Sequence, residues 1–466
     1  MNPPPLPDQL QDRLDRRLAE EQRQQRLPSV VAGLVRAGRL VWTGAAGVTT
    51  GAEGVAPSAD LQYRIGSITK TLVAVAVLRL RDEGNLALTD AIAEHVPDAP
   101  SGDATVAQVL SHGAGIGAET GGPWWERTPG GTWPELASGL AGPAVLRPGR
   151  GFHYSNVGFG VLGELLARIR GRPWTAVVTE EVLRPLGMDR TTPRPVDPAA
   201  AGYAVHPWAP MLLSEPEHDA AAMGPAGQLW STIEDLARWA RFLYAGHDEV
   251  LSADTLEEMR EPLVVDDRPG QPWTGAHGLG LQLWNLDGRR AFGHGGSMPG
   301  FLATLQVDAA SGDAVVVASN TTAGLRGALP TDLAALLHEH APVTGEPWTP
   351  ANVSAEVLAL TGSWYWGPQP LVVRAETDDA LDLAPMSGAG RASRFRRRPD
   401  GSFLGRDGYF RGETLQVVRD ERGRVTHLDL ASFVLTRAPY DPVDPIPGGV
   451  EASGWSAGRA DRADGG

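Results

Sequence analysis

The chain has 466 residues, 42% hydrophobic and 21% charged, enough apolar material for two or three domains of about 150 residues. Acidic residues outnumber basic ones 56 to 41, and the net charge of −15 argues against a charge-driven grip on nucleic acid or anionic lipid. Cysteine is absent, which excludes disulfide scaffolds, thiolate metal sites, iron–sulfur clusters and a cysteine nucleophile together.

Residues 7–26 read as a charged helix with a narrow apolar stripe at Leu10, Leu14 and Leu18. The first thirty residues hold no apolar secretion core, and the longest apolar run, Leu72–Leu80, is broken by Arg79 and falls short of the ~20 residues of a membrane span. A soluble, cytoplasmic protein is therefore expected. Val30–Val35 and Leu40–Thr43, separated by Ala37-Gly38, predict a hairpin of strands. Ile68–Asp82 is apolar on nearly every side and predicts a buried helix closed by Gly84. Further helices are expected over Val157–Arg170, Trp174–Leu183 and Thr232–Tyr244, the last with a capping pattern at Ser231 or Thr232. Leu279–Trp284, Arg290–Phe292, Phe301–Val307 and Ala314–Ser319 read as strands, and Leu329–His340 as a closing helix.

Strands at both ends of a helical middle predict an α+β fold, an antiparallel sheet flanked by helices with a helical subdomain. After Pro347 and Pro350, short alternating segments (among them Gly362–Trp366, Leu371–Arg374, Thr414–Val418, Val425–Leu430 and Phe433–Thr436) predict a small C-terminal antiparallel barrel or sandwich. The expected division is a helical lead over 1–27, a main domain over 28–343, a β domain over 344–440 and a disordered Pro- and Gly-rich tail over 441–466.

Chemistry concentrates at the start of the buried helix, in Ser67-Ile68-Thr69-Lys70. Lys70 is the only lysine among 41 basic residues; the rest are arginine, which keeps its proton. Codon bias with one escape is the bland reading, and a position that requires an amine able to become neutral is the sharper one. Spacing i, i+3 puts Ser67 and Lys70 on one helical face, and the helix N-terminus favours developing negative charge. A neutral Lys70 would take the Ser67 proton. A helix cap followed by a surface lysine is the competing reading, and the apolar surroundings disfavour it.

Tyr154-Ser155-Asn156 is the second segment. If extended, it projects Tyr154 and Asn156 to one side and Ser155 to the other. Gly293-His294-Gly295-Gly296-Ser297 is the third, where glycines permit close backbone approach and a backbone N–H could supply an oxyanion donor. Taken singly, the first of these reads as packing and the second as a glycine-rich bend.

In combination, Ser67-x-x-Lys70, Tyr154-x-Asn156 and His294-Gly295-Gly296 resemble the serine β-lactamase and penicillin-binding-protein superfamily, closest to its class C-like branch of esterases and D-amino-acid peptidases. Val109-Leu110-Ser111-His112, Pro148-Gly149, Leu186-Gly187-Met188 and the run Gly227 to Thr232 look alike too, and the resemblance covers about residues 8–340. It implies an acyl-enzyme on Ser67, proton transfer shared by Lys70 and Tyr154 with either as base, and an oxyanion held by the N–H groups of Ser67 and Ser297. Asn156 would position substrate and Lys70, with His294, Gly295 and Gly296 along the substrate strand. No metal or cofactor is implied, and the partner is a small ester or peptide substrate. β-Lactamases usually carry Lys-Thr-Gly where this chain has His294-Gly295-Gly296, so esters or D-amino-acid amides are expected ahead of penicillins. A β-lactamase, a D-alanyl-D-alanine carboxypeptidase and a binding protein without turnover are the alternatives.

Other motifs carry less. Gly454-Trp455-Ser456-Ala457-Gly458 mimics a nucleophile elbow but sits in the polar tail. Gly158 to Gly163 spells G-x-G-x-x-G without a preceding apolar strand. His338 and His340 would diverge on a helix. Arg394 and 396–398 read as a solvated basic face, and Trp364-Tyr365-Trp366 as barrel core.

Overall fold

The computed structural model describes residues 5–49, 56–140, 144–342 and 348–440. The chain divides into two compact units, Met1–Thr344 and Gly345–Gly466.

In the first unit, the helix α1 (Asp8–Gln24) is followed by the hairpin β1 (Ser29–Arg36) and β2 (Arg39–Gly47). The longest of the helices that come next are α2 (Thr69–Asp82), α3 (Asn156–Arg170) and α4 (Ile233–Ala245). The strands β3 (Val264–Val265), β4 (Gly275–His277), β5 (Gln282–Leu286), β6 (Arg289–Met298), β7 (Phe301–Asp308) and β8 (Ala314–Ser319) lead to the helix α5 (Ala328–His340). One antiparallel sheet runs β2-β1-β8-β7-β6-β5-β4-β3, so the first and last parts of the unit meet at β1 and β8, with Val31 opposite Ala318 and Leu34 opposite Val315.

Period-two alternation sorts these strands between two cores. Val30, Ala32, Leu34, Val315 and Val317 pack under Leu10, Leu14 and Leu18 of α1 and Leu329, Leu333 and Leu337 of α5. Val31, Val35, Val316, Phe301, Leu305 and Val307 face the other way, onto α2, α3 and α4. Being covered on both faces explains why β1 and β8 read as continuous apolar runs. β7, covered on one face only, alternates buried with half-buried residues. Helix α2 lies inside the larger core with every residue from Thr69 to Leu78 buried.

Two expectations need correction. The strand expected from Leu279 begins at Gln282, because Gly280 adopts φ +76° and turns the chain. Arg290–Phe292 is only part of β6, which runs on through the glycine segment to Met298. The G-x-G-x-x-G segment lies inside α3, where Gly160 and Gly163 let Ala222 and Pro225 approach closely.

The second unit holds the short helix α6 (Ala355–Leu358) and eight strands: β9 (Gly362–Trp366), β10 (Gln369–Ala375), β11 (Leu381–Pro385), β12 (Ser393–Arg397), β13 (Phe403–Gly405), β14 (Thr414–Arg419), β15 (Val425–Leu430) and β16 (Phe433–Thr436). They pair in sequence and close β16 onto β9, so the unit is a barrel. Trp364, Leu383, Phe395, Phe403, Leu415 and Leu428 fill it, and Val357 and Leu360 enter from the α6 end. Trp366 departs from the expected core role; it is exposed at the opposite end. Arg394 pairs with Asp407, and Arg397 with Glu356 and Asp379. Among the described residues no helix is long and apolar enough to cross a membrane. The tail and its G-x-S-x-G lie outside the described residues.

Candidate active site

The nucleophile turn is a 3-10 segment, Gly66–Ile68, that leads directly into α2. Gly66 takes φ +52°, and a Cβ there would stand 2.4 Å from the nitrogen of Ser297. From the other side, a Cβ on Gly296 would lie 2.0 Å from the carbonyl oxygen of Ile65. Only two glycines allow β6 and this turn to come so close. The Gly295 N–H donates to Gln282 Oε1 on the β5 side at 2.8 Å. By strand alternation the Ser297 N–H two residues on points to that same edge, past the end of β5 and toward Gly66. The backbone nitrogens of Ser67 and Ser297 thus both lie at this contact between β6 and the nucleophile turn.

At the second residue of α2, Lys70 is fully buried. Its Nζ lies 2.9 Å from Ser67 Oγ, 2.7 Å from Asn156 Oδ1 and 2.7 Å from the carbonyl oxygen of Ala226. Burial drives the Lys70 amine down from 10.5 to about 7, against the pull of the Glu119 and Glu126 carboxylates. The carbonyl oxygens of Asn156 and Ala226 can only accept. A neutral Lys70 therefore spends both N–H groups on them and turns its lone pair to the Ser67 hydroxyl.

Asn156 stands in the first turn of α3, rather than in an extended segment. Ser155 caps that helix, accepting from the Gly158 N–H at 2.9 Å and donating to the Gly117 carbonyl at 2.7 Å, so it faces away from the nucleophile. The Asn156 amide is committed at both ends, with Oδ1 on Lys70 and Nδ2 donating to Glu119 Oε1 at 2.7 Å. Burial pushes the Tyr154 phenol well above the ordinary value, against the pull of the neighbouring Ser67 hydroxyl. Its ring centre is 5.0 Å from the Lys70 nitrogen.

His294 is buried on β6, and its Nδ1 lies 2.5 Å from the Gly295 carbonyl oxygen. That oxygen can only accept, so Nδ1 carries the proton and Nε2 presents a lone pair. Burial, helped by Lys70, holds the ring far below its ordinary pKa, so His294 is neutral. Around it stands an aromatic wall that the sequence did not announce. His112 stacks on Tyr154 at 4.2 Å between ring centres, and Phe152 on His277 at 4.5 Å. His112 Nδ1 accepts from the Ser155 N–H at 3.0 Å and so orients the Tyr154 segment from a backbone at φ +60°. Burial lowers His277 to about 4.

The structure therefore brings Ser67, Lys70, Tyr154, Asn156, His294, Gly295, Gly296 and Ser297 to one place. Glu119, His112, His277, Gln282 and the Ala226 carbonyl were not singled out as site residues. Ser111-His112 carried a signal as part of a recognisable stretch, whereas Glu119 sits in a polar glycine-rich loop with none. Elsewhere, His338 contacts Asp313 and Arg289, and His340 contacts Arg13, so the two rings meet separate partners.

Comparison with known proteins agrees with this geometry. The Beta-lactamase family model matches residues 14–339. The chain belongs to the Beta-lactamase family. That family is one of serine hydrolases, and its model spans the sheet and all the residues gathered around Ser67. The barrel matches a second model, a Domain of unknown function (DUF7586), over residues 353–437. The D-stereospecific amidohydrolase from Streptomyces sp. is 26% identical, with a TM-score of 0.60, over 73% of this chain and 100% of its own. The octameric penicillin-binding protein homologue from Pyrococcus abyssi shares the fold at 20% identity and a TM-score of 0.63, over 91% of this chain and 99% of its own. Protein flp of Staphylococcus aureus (strain MW2) is 25% identical over 248 residues, 51% of this chain and 49% of that protein, so the chain spans about half the length of this curated relative.

Proposed function

We propose that this Beta-lactamase family member hydrolyses esters and D-amino-acid amides through an acyl-enzyme on Ser67. The observation that carries the reading is the Lys70 amine, buried, lowered to about 7 and 2.9 Å from Ser67 Oγ. Lys70 accepts the Ser67 proton as Oγ attacks the substrate carbonyl carbon. The tetrahedral oxyanion is held by the N–H groups of Ser67 and Ser297. Collapse breaks the bond to the leaving alcohol or amine, which takes the proton that Lys70 passes on through the Tyr154 phenol. Water then attacks the acyl carbon, gives its proton to the same amine and phenol pair, and frees Ser67. Asn156 acts as a positioning residue, since its oxygen holds Lys70 and its nitrogen is committed to Glu119.

Electrostatics supports the substrate class. His294 is neutral and offers no cation to a substrate carboxylate, as a penicillin would require. Glu119 and Glu126 act on Lys70 and Tyr154 and so reach the reaction centre. A substrate with a free ammonium group suits that field, and the Streptomyces relative is described as a D-stereospecific amidohydrolase.

The test is steady-state turnover of p-nitrophenyl butyrate, D-alanine p-nitroanilide and nitrocefin. Repeated turnover of one of the first two, abolished in Ser67→Ala, with nitrocefin far slower, is expected. A single stoichiometric burst, or nitrocefin as the best substrate, overturns the reading.

A further inference from the structure

The start of α3 is clasped by three consecutive loop residues. Ser155 Oγ donates to the Gly117 carbonyl at 2.7 Å, the Asn156 backbone N–H to the Ala118 carbonyl at 2.9 Å, and Asn156 Nδ2 to Glu119 Oε1 at 2.7 Å. The other carboxylate oxygen of Glu119 accepts from the Trp125 indole N–H, also at 2.7 Å. Trp125 is buried in the larger core, which fixes where that donor points. Glu119 itself is exposed, and these two donors hold its carboxylate.

An amide can turn either end to a neighbour, and its partners decide which. A carboxylate only accepts, so Glu119 takes the Nδ2 end of Asn156 and leaves Oδ1 for Lys70. Turned round, the amide would offer an N–H to the Lys70 lone pair, and the Ser67 hydroxyl would lose its base.

We propose that Glu119 is a positioning residue: anchored by Trp125, its carboxylate holds the Asn156 amide with Oδ1 on Lys70 and so keeps the lone pair of that amine on Ser67. This rests on the hydrolytic reading of Ser67 and Lys70 and deepens it.

Exchange of carboxylate and amide tests it. In Glu119→Gln the Trp125 N–H takes the glutamine oxygen, so the glutamine NH2 faces Asn156 and turns its amide round. Asn156→Asp sets two carboxylates against each other. The double variant Glu119→Gln/Asn156→Asp again gives Trp125 an acceptor, joins donor to acceptor between the two positions and presents only oxygen to Lys70. The readout is the rate at which a fluorophosphonate probe labels Ser67 from about pH 5.5 to 9, with folding checked by circular dichroism. The probe has no ammonium group, so a loss of rate is not a loss of substrate binding.

Each single variant should label roughly tenfold or more slowly at its plateau, the size of a lost charge-assisted hydrogen bond, and the double variant should recover most of that loss. Around Lys70, Tyr154, His112, His277 and His294 are neutral at pH 7, and every variant keeps Glu126. The Glu119 carboxylate pulls the Lys70 pKa upward, so the midpoint of about 7 should move down in Glu119→Gln; with a carboxylate at position 156 beside the amine it should move up in the double variant. Equal plateau rates in the parent and Glu119→Gln, or a double variant no faster than the singles, overturn the proposal while labelling of Ser67 in the parent leaves the hydrolytic reading in place. A parent that is not labelled at Ser67 overturns both. Should Glu119→Gln fail to fold, the rates of Asn156→Asp and the double variant decide.

Discussion

An amine can serve as a base at neutral pH only if something removes its charge, and at Lys70 that agent is burial. Its two carbonyl partners fix the direction of the lone pair as well as the position of the nitrogen. Arginine in the same place would keep the charge but offer no lone pair. The sign of the pH dependence follows. The neutral fraction of Lys70 grows as pH rises through about 7, so kcat/KM for p-nitrophenyl butyrate should climb across that value and level off above it. Tyr154, raised in pKa, and His294, lowered, do not change charge in that window. A profile measured from about pH 5.5 to 8.5 that is flat or falling would remove Lys70 from the base role. Lys70→Arg, with its folding checked by circular dichroism, should lose acylation by roughly 10²–10⁴-fold at every pH.

At the level of elements, the site exists where a strand and a 3-10 turn touch with no side chain between them. Gly296→Ala would place a methyl 2.0 Å from the Ile65 carbonyl oxygen, and β6 would have to withdraw. Withdrawal carries the Ser297 N–H away from the proposed oxyanion position, so kcat should fall by roughly 10²–10³-fold. Acylation by a fluorophosphonate probe reads the same loss, and a variant that acylates normally would show that Ser297 is not a donor. The glycines of the third motif were legible in the sequence as sites of close approach, but what approaches them was not. Asn156 shows the same division. Its spacing from Tyr154 suggested a shared strand face, yet Ser155 caps a helix there, and the helix start is what turns Asn156 toward Lys70.

The layering of the first unit separates stability from chemistry. Leu14 is fully buried between α1, α5 and the sheet face opposite α2. Leu14→Ala should cost about 2–5 kcal/mol in urea unfolding while leaving kcat/KM unchanged. A large loss of activity without a loss of stability would mean that the two cores are coupled through the sheet.

Local pattern alone determined much of this protein: the buried helix that begins after Ser67, the capped helices, the paired strands at both ends of the first unit, the short antiparallel strands of the second, and the candidate nucleophile beside a lone lysine. Those features depend on residues close in sequence, where helical and strand periods and turn chemistry act directly. Tertiary structure decided what depends on distant partners. It buried Lys70 fully, set the Asn156 and Ala226 oxygens on its two protons, and packed His112 and His277 around Tyr154 and His294. Desolvation and hydrogen-bond direction arise from elements far apart in the chain, 156 residues for Lys70 and Ala226, and no local pattern carries them.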